Sequence, residues 1–99
     1  MDITVSQREF KKIFTVTGRL DTASAPQLQA FLIPAFDEAK QVELDFAGLS
    51  YVSSAGLRVL LLGEKTAKSK DSVMSLVNVS DEVKAIFDMT GFTDILKIA

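Results

Sequence analysis

The sequence predicts one α/β domain over residues 1–99, with a mixed, mostly parallel sheet, an N-terminal β-hairpin and helices mainly on one face. Three observations carry this expectation. Between Gln41 and Leu62 the apolar residues change period, from the alternation of Val42, Leu44 and Phe46 to the helical spacing of Leu57, Leu60 and Leu61. Two β-branched runs open the chain, and a polar capping residue precedes each later helical stretch: Ser24, Ser53 or Ser54, and Ser80.

Ile3 and Val5 alternate with polar residues and give the first strand, Gln7 to Glu9 is turn-like, and Ile13 to Thr17 gives a second strand that pairs with the first as a hairpin. Gly18 is expected to end it. Ser24-Ala25-Pro26-Gln27 has the form of a capping box, so a helix should begin there, its apolar stripe formed by Leu28, Phe31, Leu32, Ala35, Phe36 and Ala39. Pro34 removes a helical hydrogen bond at a cost of about 3 kcal/mol, which predicts a kink or early break near Ile33 instead of a straight helix to Lys40. The strand at Val42 to Phe46 leads to a helix from Ser54 to Lys68, and the Ser69–Ser72 turn to a strand at Val73 to Val77. Ser80 then caps a helix whose first turn holds Asp81 and Glu82, Gly91 stops it, and Ile95 with Ile98 forms a short last strand. The order ββαβαβαβ calls for parallel pairing of the later strands, Val42–Phe46 beside Val73–Val77.

Composition narrows the function. A net charge of −2 gives no electrostatic case for nucleic acid or anionic membranes. With neither cysteine nor histidine, the chain lacks a Ser-His-Asp triad, a thiolate nucleophile and the usual zinc ligands, so we expect no enzyme, no cofactor and no metal. The N-terminal residues show no basic segment followed by an apolar run, which predicts a cytoplasmic location.

The pair Ser53-Ser54 falls at a strand-to-helix junction, where the positive end of a helix and its free N–H groups favour an anion. The simplest role for either serine is a helix cap, worth about 1 kcal/mol. Gly56 in the opening turn costs helix propensity, which is explained if a partner approaches the backbone closely; Gly56→Ala would then be neutral or slightly stabilising yet weaken binding. Ser53, Ser54, Ala55 and Gly56 together make a small-residue patch with neither room nor counter-charge for a phosphate in an interface. Phosphate-binding-loop and dinucleotide motifs are absent.

The run LDFAGLSYVSSAGLRVLL resembles the signature of STAS-domain proteins, the anti-sigma factor antagonists. Gly18-Arg19-Leu20-Asp21 is similar to the family's Gly-x-Leu-Asp, and Val83 to Gly91 to its last helix, so the resemblance spans nearly the whole chain. It implies that Ser54, two positions before the glycine, is phosphorylated by an anti-sigma factor that is itself a serine kinase. It implies also that a serine phosphatase reverses this, and that Asp21 lies near Ser54 on the partner surface with Ser53, Ala55 and Gly56. Ser53 replaces the aspartate that many relatives carry, and is a second candidate acceptor. For Asp21 a turn or cap role is equally expected. Two alternatives stand beside this switch: a non-switching scaffold subunit of a transporter-associated or stress-sensing complex, and a small-ligand sensor.

Overall fold

The computed structural model describes residues 1–99. Strands β1 (Asp2–Arg8) and β2 (Lys11–Leu20) form the expected antiparallel hairpin, with Arg8 opposite Lys11. Its turn is Glu9-Phe10, one residue later than the polar composition of Gln7–Glu9 suggested, with Glu9 at φ +53°. Strands β3 (Gln41–Val52) and β4 (Val73–Val77) follow, and the sheet order is β1-β2-β3-β4, with β2, β3 and β4 mutually parallel. The predicted adjacency of β3 and β4 is observed, with Leu44 beside Leu76.

Helices α1 (Ala25–Ala35), α2 (Ser54–Ser69) and α3 (Asp81–Thr90) connect these strands and follow the last of them. Right-handed crossovers between neighbouring parallel strands taken in order put the connecting helices on a single face. The burial alternates accordingly. Phe14, Val16, Val42, Leu44, Phe46, Met74 and Leu76 are buried beneath Leu28, Leu32, Leu60, Val83 and Phe87. On the opposite face Ile13, Thr15, Glu43, Asp45, Ser75 and Val77 are only partly covered.

Three expectations change and one, at Pro34, holds. Gly18 does not end β2; at φ +97° it forms part of an irregularity where the register to β3 shifts, and the strand continues to Leu20. A left-handed glycine relieves a bulge as readily as it ends a strand, and here the ladder beyond it, Arg19 to Tyr51 and Leu20 to Val52, holds the chain in the sheet. The early break at Pro34 is observed: α1 stops at Ala35, and Asp37 N–H bonds Pro34 O in the tighter spacing of a terminal turn. The capping box is not formed. Ser24 has helical φ/ψ and makes no side-chain cap bond, because its hydroxyl is engaged upstream, as described below. The final strand is reduced to one parallel bridge, Leu76 to Ile98, after a short 3₁₀ turn at Phe92–Asp94 that takes up Ile95. At α3 the Ser80 hydroxyl accepts the Val83 N–H at 3.2 Å and Gly91 ends the helix at φ +79°, both as predicted.

Candidate functional site

The carboxyl ends of β2 and β3 are neighbours, and the turns that follow them meet. Leu20 is in register with Val52, and the ladder extends one step further, where Ser53 N–H donates to Leu20 O at 2.8 Å. The Asp21 turn and the Ser53–Gly56 turn are thereby fixed to each other. This is the proximity the resemblance implied.

At the second turn the two serines have separate duties. Ser53 has extended geometry (φ −86°, ψ 174°) and is the N-cap: its Oγ accepts the Gly56 N–H at 3.2 Å. Ser54 is the first helical residue, exposed, and takes no part in the cap. It stands at the positive end of a helix of 16 residues, among N–H groups with no helical partner. Ala55 is half-buried beside it.

Gly56 requires a correction. It is buried, and a Cβ built on it would lie 2.7 Å from Leu20 Cγ and 3.0 Å from both Leu20 O and Val52 Cγ1. The missing side chain makes room for the chain's own Leu20, so close approach by a partner is not the reason for this glycine.

At the first turn Asp21 supplies the structure that Ser24 was expected to give. Its Oδ1 accepts the N–H groups of Ala23 and Ser24 and the Ser24 hydroxyl, each at 3.1 Å, while Ser24 Oγ lies 2.8 Å from Arg19 O and accepts the Asp21 N–H at 2.9 Å. The hydroxyl's single proton is shared between two acceptors. These donors, the Ser24 N–H foremost and then its hydroxyl, hold the Asp21 carboxyl below its ordinary value of 3.8. All of these bonds end on Oδ1, which leaves Oδ2 available.

Two cations that the sequence reading passed over frame the turns. Arg58 lies one helical turn beyond Ser54, on the same side of α2 and exposed. The spacing alone could have revealed it. Arg19 packs its guanidinium over the Tyr51 ring, 4.3 Å from the centroid. That pair depends on the register of β2 and β3, which no local signal reports. The small-residue patch therefore has counter-charge nearby, contrary to the expectation above. Ala55 and Arg58 also edge a shallow groove of about 400 Å³ between α1 and α2, lined in addition by Thr22, Pro26, Gln29 and Leu62.

A family model described as the STAS domain matches residues 2–99. The chain belongs to the STAS family. Among its relatives, BtrV of Bordetella bronchiseptica, named as a candidate anti-sigma factor antagonist, is 33% identical over 100 residues, covering 100% of this chain and 86% of BtrV. The anti-sigma-B factor antagonist of Bacillus subtilis (strain 168) is 29% identical over 99 residues, covering 100% of this chain and 91% of its own. Among solved structures, the anti-sigma factor antagonist SpoIIAA in its unphosphorylated form superposes with a TM-score of 0.83 at 19% identity, covering 99% of this chain and 88% of that one. The phosphorylated form of Bacillus SpoIIAA gives 0.77 at 18% identity, covering 99% and 91%. The STAS fold read here, a four-stranded mixed sheet with three helices, is that of SpoIIAA, and the relatives' names place the chain among the anti-sigma factor antagonists. No helix is long and apolar enough to cross a membrane.

Proposed function

We propose that this STAS domain is a phosphorylation-controlled anti-sigma factor antagonist, in which Ser54 is the acceptor. Unphosphorylated, it binds an anti-sigma factor that is a serine kinase, and the sigma factor is released. Phosphorylation of Ser54 ends the binding, and a serine phosphatase restores it. Ser53, Ala55 and Asp21 belong to the contact surface, and Gly56 shapes it from within.

The observation that carries this reading is the division of labour between the serines: Ser53 caps α2, and Ser54 is left exposed with no structural duty. A kinase can then direct the Ser54 hydroxyl at the γ-phosphorus of ATP without unwinding the helix. The O–P bond forms as the bond to ADP breaks, and the hydroxyl proton passes to a base on the kinase. The added charge of about −1.5 to −2 is accommodated by the helix N-terminus and by Arg58 one turn away, so the domain stays folded. The same phosphate adds bulk and charge beside Ala55 at the rim of the α1–α2 groove, in the path of a docked partner. Asp21 Oδ2 is a ready acceptor for a partner's donor.

The test is incubation with ATP and a kinase shown to bind the protein. One phosphate on Ser54 by mass spectrometry, an unchanged circular dichroism spectrum and a much weaker complex are the expected results. Ser54→Ala should bind and resist release, and Ser54→Asp, with one charge and a smaller group, should mimic the modified state only in part. No phosphate, or phosphate on Ser53 alone, overturns the assignment.

A further inference from the structure

Strand β1 forms an open edge of the sheet, and its features fit one occupant. β4, at the other side, is bridged by Ile98, but β1 pairs with β2 alone. The two-residue turn at Glu9-Phe10 makes Arg8 and Lys11 a hydrogen-bonded pair, so along β1 the backbone groups of Arg8, Ser6, Thr4 and Asp2 face β2. Those of Ile3, Val5 and Gln7 face outward, unpaired. The edge is also apolar on its helix side. Val5 is 47% and Phe31 45% exposed, and both adjoin Phe14, Val5 as its cross-strand partner and Phe31 by an edge-to-face ring contact with centroids 6.4 Å apart.

Exposed edges are ordinarily protected by charges that repel a second strand. Here the charges attract one. Asp2 and Arg8 lie at the two ends of β1, and neither joins any of the four ion pairs within the chain. Arg8 instead faces the like charge of Lys11.

We infer that β1 is a self-association edge whose partner is the β1 strand of a second copy, antiparallel about a two-fold axis at Val5. In that register Val5 meets Val5, Ile3 meets Gln7 and Thr4 meets Ser6, so the three outward-facing residues of each copy bond one another, about six hydrogen bonds in all. Asp2 then faces Arg8 at both ends, in the non-hydrogen-bonded positions where side chains approach closest. Registers shifted by two residues keep the backbone parity but leave both charges unmatched. The sheets join into one running through both copies, with Val5 and Phe31 of each covered at the seam. Because β1 stands two strands from β3, this contact and the Ser54 surface use different parts of the domain.

Sedimentation of the whole chain from micromolar to millimolar concentration tests this. A reversible monomer–dimer equilibrium is expected. Asp2→Arg or Arg8→Asp alone, each creating two like-charged pairs, should weaken the dimer by about tenfold, and the double exchange should restore it. Val5→Pro removes an outward N–H that β2 does not use, so it should keep the native circular dichroism spectrum and abolish the dimer. If that variant fails to fold, the charge exchange decides alone. A chain monomeric throughout overturns the inference, as does a dimer indifferent to the single reversals, a double exchange that recovers nothing, or a folded Val5→Pro that still dimerises.

Discussion

Two strand-to-helix junctions stand side by side at the carboxyl end of the sheet, one with Asp21 and Ser24 and the other with Ser53 and Ser54, and they use these pairs differently. At the β2–α1 junction Asp21 and Ser24 are bound to each other and to the backbone, so both are committed to shape. At the β3–α2 junction Ser53 alone completes the cap, and Ser54 is left over. A hydroxyl that holds nothing together can be modified without loss of the fold. The comparison explains why adjacent serines are unequal, and substitutions at both junctions can break or sharpen it.

The largest effect is expected at Gly56. Adding a Cβ forces Leu20, which is fully buried, out of a well-packed site. The overpacking cost of about 1–3 kcal/mol should exceed the gain in helix propensity of about 1 kcal/mol, so Gly56→Ala should destabilise the domain by up to about 2 kcal/mol in denaturant unfolding. An unchanged or raised midpoint would show that Leu20 does not constrain this turn.

Next is Ser53→Ala, which deletes the cap and should cost about 1 kcal/mol by the same measurement. Ser54→Ala should stay within about 0.5 kcal/mol of the parent while losing all phosphate acceptance, the two readouts separating the serines. If the order of the two losses were reversed, the division of labour would fail.

The smallest effect concerns pH. The Asp21 carboxyl is held below its ordinary value, so its contribution to stability is complete above 3.8 and is lost as pH falls through the lower folded value. Asp21→Asn should remove that part of the acid dependence, and Ser24→Ala should reduce it, because the Ser24 groups are its main cause. Unfolding midpoints followed from neutral to acid pH, equal in slope for parent and Asp21→Asn, would show that the turn is not held by the ionised group.

Much of this was legible in the sequence, where the signals are local. The period change across Ser53 located β3 and α2, Ser80 and Gly91 bounded α3, and Pro34 foretold the end of α1. The failures share one cause. Ser24 began a capping box on paper, yet its hydroxyl oxygen accepts the Asp21 N–H and its proton goes to Asp21 and Arg19, while the Gln27 N–H bonds the Ser24 carbonyl. Gly18 had the form of a strand end, but pairing beyond it with Tyr51 and Val52 decided otherwise. Gly56 announced a close approach correctly and its partner wrongly, because Leu20 lies far away in sequence and next to it in space. At the site, the expectation for Ser54 and Asp21 rested on the family's signature, whereas the choice of Ser53 as cap needed backbone angles.

Leu20 links these findings. Its carbonyl receives the Ser53 N–H, and its side chain fills the space that Gly56 leaves. Positions 20 and 56 therefore divide one fixed volume between two turns, and neither can change size alone. A shorter side chain at position 20 should reduce the cost of Gly56→Ala, because the tightest contact of the added Cβ is with Leu20 Cγ. In the divergence of such chains the two positions should drift as a pair, so that the compactness of the Ser53–Gly56 turn is inherited as much from the second strand as from the turn's own residues.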